Sequence, residues 1–201
     1  AMTEDDKGFY LNPTDYQNFM QRGDIYIYQG DLIKAEDEYQ NLLKSKEPAG
    51  QSFGGQRLIY LYLLQGKFER AKTLCKQALE LAKMLGKDWE SFVHLGLARV
   101  YIASGNPGEA LKECDEAWNK AIEAEFLDPE RGALYAKAYA LIQMRSLDKA
   151  QKVADELKEM IEKGMNKKLI RLHHELMGRI ELERSNFSKA VEYFKEALSL
   201  E

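Results

Sequence analysis

Four prolines and two cysteines are all that this 201-residue chain contains of either residue. So little proline leaves long helices uninterrupted. Two cysteines, Cys75 and Cys114, are too few for a disulfide framework and lack metal-site spacing. No apolar run is long enough to span a bilayer, and no N-terminal apolar segment reads as a signal peptide. No basic block or stripe interrupts the mixed charge, which sums to −4, so neither nucleic acid nor a membrane surface is an expected partner. The chain also has no G-x-x-x-x-G-K and no H-E-x-x-H. The expected setting is the cytoplasm, with no cofactor and no metal. Ala1-Met2 reads as a cloning remnant, and residues 1–12 as a frayed lead-in.

What the chain does have is repetition. DLIKAEDEYQNLL, KFERAKTLCKQAL, NPGEALKECDEAW, SLDKAQKVADELK and NFSKAVEYFKEAL share one skeleton around Ala35, Ala71, Ala110, Ala150 and Ala190. These anchors lie 36, 39, 40 and 40 residues apart, the spacing of stacked supersecondary units. Eight before each anchor stands an apolar residue: Ile27, Leu63, Ile102, Ile142 or Leu182. Nine before stand Tyr26, Tyr62, Tyr101, Leu141 and Glu181, and five before stand Gly30, Gly66, Gly105, Arg145 and Ser185.

The pattern predicts a pair of antiparallel helices per repeat. A first helix ends at the position five before the anchor, where glycine suits a tight turn. A second begins at once, with Asp31, Asn106-Pro107, Ser146 and Asn186 as cap candidates. Asn12-Pro13 and Asp128-Pro129 read as starts of first helices, and Gly86 and Gly164 as ends of second ones. Ten helices are expected, about 13–28, 31–45, 53–65, 68–85, 88–104, 107–124, 129–144, 147–163, 166–184 and 187–200. The glycine-rich SKEPAGQSFGG, residues 45–55, reads as a long flexible turn between repeats.

These segments resemble the tetratricopeptide repeat family over nearly the whole chain from residue 13. The family's period is about 34 residues; here it is longer. The resemblance implies an all-α solenoid of about five helix-turn-helix repeats, 13–48, 52–86, 88–125, 129–164 and 166–200, in a right-handed superhelix. First helices would line a concave groove. Groove positions eleven and fifteen before the anchors then include Met20, Asp24, Tyr60, Leu95, Arg99, Tyr135, Tyr139, Glu175 and Arg179, with Arg57 close by. Tyrosine and arginine are common at binding hot spots. Some members of the family clamp a peptide's carboxylates with lysines and asparagines at such positions. Asp24, Tyr60 and Met20 do not fit that clamp, yet Arg57, Arg99 and Arg179 remain candidates for an acidic peptide.

The other conspicuous residues read as structural. Cys75 and Cys114, each four after an anchor, occupy a packing slot that holds Tyr39, Ala154 and Phe194 elsewhere. His94 and His174 share a packing register with Phe19 and Leu134, and consecutive His173-His174-Glu175 diverge around a helix. The last helix carries Val191, Phe194 and Leu198 with no capping element after it, so excision from a longer protein and homodimerisation through this end are both expected readings. The resemblance implies a scaffold that binds a peptide or helix of a partner protein, without chemistry of its own. The alternative is a regulatory or sensor segment of a larger protein, of the kind found in bacterial kinases or transcription regulators.

Overall fold

A computed structural model describes residues 15–200. The expected lead-in and the Asn12-Pro13 helix start lie outside that range. Ten α-helices follow: α1 Tyr16–Gln29, α2 Leu32–Leu43, α3 Pro48–Leu64, α4 Phe68–Leu85, α5 Lys87–Ala103, α6 Pro107–Glu123, α7 Leu127–Gln143, α8 Leu147–Lys163, α9 Ile170–Glu183 and α10 Phe187–Leu198. A 3-10 turn, Lys167–Leu169, leads into α9. No strand occurs among the described residues. The chain forms two compact units, divided between Leu85 and Gly86. In the first, α1 to α4 pack in sequence and α1 also touches α3. In the second, α5 to α10 pack in sequence, and α7 also touches α5 and α9.

One turn recurs in all five hairpins. The residue five before each anchor is left-handed: φ is 77° at Gly30, 68° at Gly66, 74° at Gly105, 56° at Arg145 and 64° at Ser185. The next N–H then donates back to the carbonyl five residues earlier. The bonds are Asp31 to Tyr26 at 2.9 Å, Lys67 to Tyr62 at 2.8 Å, Asn106 to Tyr101 at 2.8 Å, Ser146 to Leu141 at 2.9 Å and Asn186 to Glu181 at 2.8 Å. Such a turn satisfies the carbonyls that a helix end leaves open. Arg145 and Ser185 adopt it although they carry a Cβ, so register overrides local preference there. Among the expected side-chain caps, only Asp31 bonds the start of its helix, accepting from Lys34 N at 3.2 Å. Asn106 instead donates to Ser104, and Asn186 donates to Glu181 Oε2 at 2.7 Å.

Within each hairpin the two helices meet through complementary sizes. A Cβ added to Gly23 would collide with the Tyr39 ring, and one on Gly178 would lie 2.6 Å from the Phe194 ring. Ala98 and Cys114 share one buried cluster, and Ala138 and Ala154 another. Ile59 and Cys75 are both buried at the matching positions of the second repeat.

The segment expected to be a flexible turn is helical from Pro48 onward, and this overturns that reading. Glycine costs a helix about 1 kcal/mol relative to alanine, but here it permits close packing on α2. A Cβ on Gly54 would meet Leu42 Cβ at 2.7 Å, Leu43 N at 2.9 Å and Tyr39 O at 3.0 Å. A Cβ on Gly50 would meet Ser45 at 2.7 Å. Gln51 closes the corner by donating to Ser45 O at 2.8 Å.

Gly54→Ala therefore has backbone in its way, and overpacking costs of about 1–3 kcal/mol exceed the helix-propensity gain. Urea unfolding is expected to show a net loss of about 1–2 kcal/mol. Gly108→Ala, whose Cβ meets nothing within 4 Å, serves as the control and should be neutral or slightly stabilising. Ser185→Gly should gain up to about 1 kcal/mol, because relief of left-handed strain outweighs the added unfolded-state freedom.

Candidate partner-binding faces

In the first unit the candidate residues lie on α1 and α3. Arg57 Nε is 3.0 Å from Asp24 Oδ1, and its Nη2 donates to Asp24 Oδ2 at 3.1 Å. Tyr39 OH donates to Asp24 Oδ1 at 2.6 Å. Burial first, and this hydrogen bond second, push the Tyr39 phenol up, so it stays a donor. Asp24 and Arg57 thus cancel each other's charge. Beside them Met20 is half-buried and Tyr60 is 54% exposed.

In the second unit the candidates lie on α5, α7 and α9. Arg179 donates to Glu175 Oε1 through Nη2 at 2.8 Å and Nε at 3.1 Å. Its Nη1 donates to Tyr139 OH at 3.2 Å, and its guanidinium carbon stands 4.7 Å from the Tyr139 ring centroid. Burial first, then the Glu175 carboxylate, push the Tyr135 phenol up. Tyr135 and Tyr139 also pack on the core shared by α7, α8 and α9. Arg99 differs from both other arginines. It is exposed, and no acidic side chain among the described residues lies within ion-pair distance of it.

Of the expected contact residues, Leu95 is a core residue instead and Phe194 is half-buried. Leu95 is 4% exposed and lies in a buried cluster facing Gly132, where a Cβ would come within 2.6 Å of it. Phe194 turns inward onto Gly178. Of the three residues assigned to the free end of the last helix, Val191 and Leu198 are exposed, at 51% and 65%. Exposed Leu182 and Phe187 were missed. Leu182 stands in the same register as buried Ile142, a parallel that could have drawn attention to it.

Both cysteines are buried and form no disulfide. Burial pushes the Cys114 thiol up to about 12, which suppresses thiolate chemistry. Each histidine bridges a first helix to a second one: His94 Nδ1 to Glu113 Oε2 at 2.7 Å, His173 Nε2 to Asp155 Oδ1 at 3.3 Å, His174 Nδ1 to Glu196 Oε2 at 3.1 Å. Among the described residues no three His, Cys, Asp or Glu side chains gather as a metal site would need.

Residues 53–117 match the family model of the tetratricopeptide repeat. No curated protein matches the chain. Among solved structures, BtubC (BKLC) from P. vanneervenii is 17% identical with a TM-score of 0.73, over 98% of this chain and 85% of that one. RapI is 11% identical with a TM-score of 0.71, over 92% and 82%. The tetratricopeptide-like repeats of a putative kinesin light chain from Podosopora anserina are 15% identical with a TM-score of 0.70, over 94% and 95%. The tetratricopeptide resemblance therefore holds, and the chain is an all-α solenoid of helix hairpins. No helix among the described residues is long and apolar enough to cross a membrane.

Burial of His173, opposed by Asp155, holds its imidazole below the ordinary value of 6.5. The unfolded chain therefore binds this proton more readily than the folded one. Stability should fall as pH drops through about 6.5 and level off below the folded-state pKa. Urea midpoints from pH 8 to 5 should show a shallower decline for His173→Gln than for the parent. Equal slopes would place the titration elsewhere.

Proposed function

We propose that this protein is a protein-interaction module that binds a peptide or helix of a partner against the first helices of its second unit. Tetratricopeptide repeats are generally a non-catalytic scaffold, and a protein partner is the family's usual ligand. In this reading Arg99 takes a carboxylate of the partner, while Tyr135 and Tyr139 supply aromatic contact area.

Arg99, an exposed residue with no acidic partner among the described residues, carries the proposal. Around it the other groove charges are already cancelled within the chain, Glu175 against Arg179. A cation left without a counter-charge beside tyrosines favours an anionic ligand, and the pre-formed Arg179–Glu175–Tyr139 network needs little ordering on binding. Arg57 is withdrawn from that role by Asp24, as Arg179 is by Glu175.

Selection from a random peptide display library against the whole chain tests this. The selected peptides are expected to share an acidic residue or a free C-terminal carboxylate. Arg99→Glu should weaken them about tenfold or more, and Tyr139→Ala by a similar factor, as for hot-spot residues. Unchanged affinity in both variants would move the binding surface off this face.

A further inference from the structure

The first unit holds a crevice of about 570 Å3 between α2 and α4, floored by α3. That is within the range of ligand-binding pockets, roughly 300–1,000 Å3. Its apolar wall is Leu43, Leu58 and Leu74, and Tyr62 completes the floor. The register shows why it is open. The positions one and eight after the third anchor hold Leu111 and Trp118, which pack against the core of α7, α8 and α9. In the first repeat those two positions hold Glu36 and Leu43, and both line the crevice. The second unit thus covers its own core at this register with an indole and a leucine. The first unit leaves the matching space empty.

We propose that this crevice is a second docking site, for an aromatic side chain of a partner protein flanked by an acidic residue. The aromatic half follows from the chain's own solution, Trp118, at the matching position. The acidic half follows from the rim. Glu36 is already engaged, accepting from Tyr62 OH at 3.0 Å and from Lys67 Nζ at 3.4 Å. Arg70 reaches Glu36 only at 4.0 Å, and its side chain is 65% exposed. Most of its guanidinium fork stays open to solvent, where it can take an incoming carboxylate in two parallel bonds. The comparable crevice between α8, α9 and α10 has no leucine wall and is lined mostly by charged and polar side chains, among them Gln151, Glu181, Arg184, Lys189 and Glu192. There Glu181 is closed by Arg184 at 2.9 Å and by Asn186 at 2.7 Å.

Methyl NMR of the full chain, titrated with acetyl-Asp-Trp-amide and acetyl-Lys-Trp-amide, tests the site. The Leu43, Leu58 and Leu74 methyls are expected to shift, with the Asp-Trp probe binding about three- to tenfold more tightly than the Lys-Trp probe. Arg70→Glu should reverse that order. Leu43→Trp, which supplies the indole from within, should abolish the shifts. The proposal is overturned by no methyl shift at the solubility limit, undiminished binding by folded Leu43→Trp, or equal affinity for the two probes before and after Arg70→Glu. The last variant alters an exposed side chain and decides the matter even if Leu43→Trp does not fold. Self-association that Leu43→Trp disperses in sedimentation would also overturn it, naming a second copy as the occupant. Arg99→Glu should leave the methyl shifts unchanged, so this site and the groove on the second unit stand or fall separately.

Discussion

Two helices of a hairpin approach only as closely as the side chains between them allow, and everything else in this chain depends on that spacing. The residue twelve before the anchor and the residue four after it share one space. Where the first is glycine the second is aromatic, as in Gly23 with Tyr39 and Gly178 with Phe194. Where the first is alanine the second is small, as in Ala98 with Cys114 and Ala138 with Ala154. Dense packing explains the compensation, since an unfilled space and an overfilled one both cost stability. The left-handed turn sets the register that makes these residues meet. A shift by one residue would bring different side chains together, so five different sequences keep one turn geometry.

The same constraint explains both cysteines. They occupy a slot whose size is set by the partner helix, and burial keeps the Cys114 thiol protonated. No separate chemistry is needed for them. The histidines are likewise structural, each tied to a carboxylate on a neighbouring helix. Titration of the buried one acts on stability.

The hairpins were legible because their signal is local and periodic: a small anchor, an apolar residue eight before it and, in three of five cases, glycine at the turn. The glycine-rich start of α3 was not. Glycine disfavours helix locally, and its compensation lies on α2, in contacts with Leu42, Leu43 and Tyr39 that no local pattern displays. The site divides in the same way. Glu175 and Arg179 are four residues apart on one helix, so their pairing follows from spacing. Asp24 and Arg57 lie 33 residues apart, and their pairing becomes readable only when two first helices are set side by side in register. Leu95 was misplaced for a related reason: a groove position describes the average repeat, while Gly132 opposite it opens a space that this leucine fills.

A repeat array offers nearly the same geometry at each register, so geometry alone cannot tell one surface from another. Distinction enters where a single position departs from its counterparts. Arg99 and Arg179 hold equivalent positions on first helices, but Glu175 engages only Arg179. Leu43 and Trp118 hold equivalent positions on second helices, but Trp118 packs on the core of α7, α8 and α9 while Leu43 lines an open crevice. In each comparison the fold is the same and the uncompensated group differs, a charge in one case and an apolar wall in the other. Those two departures give the chain surfaces of different chemistry, so one repeated phrase need not present one repeated surface.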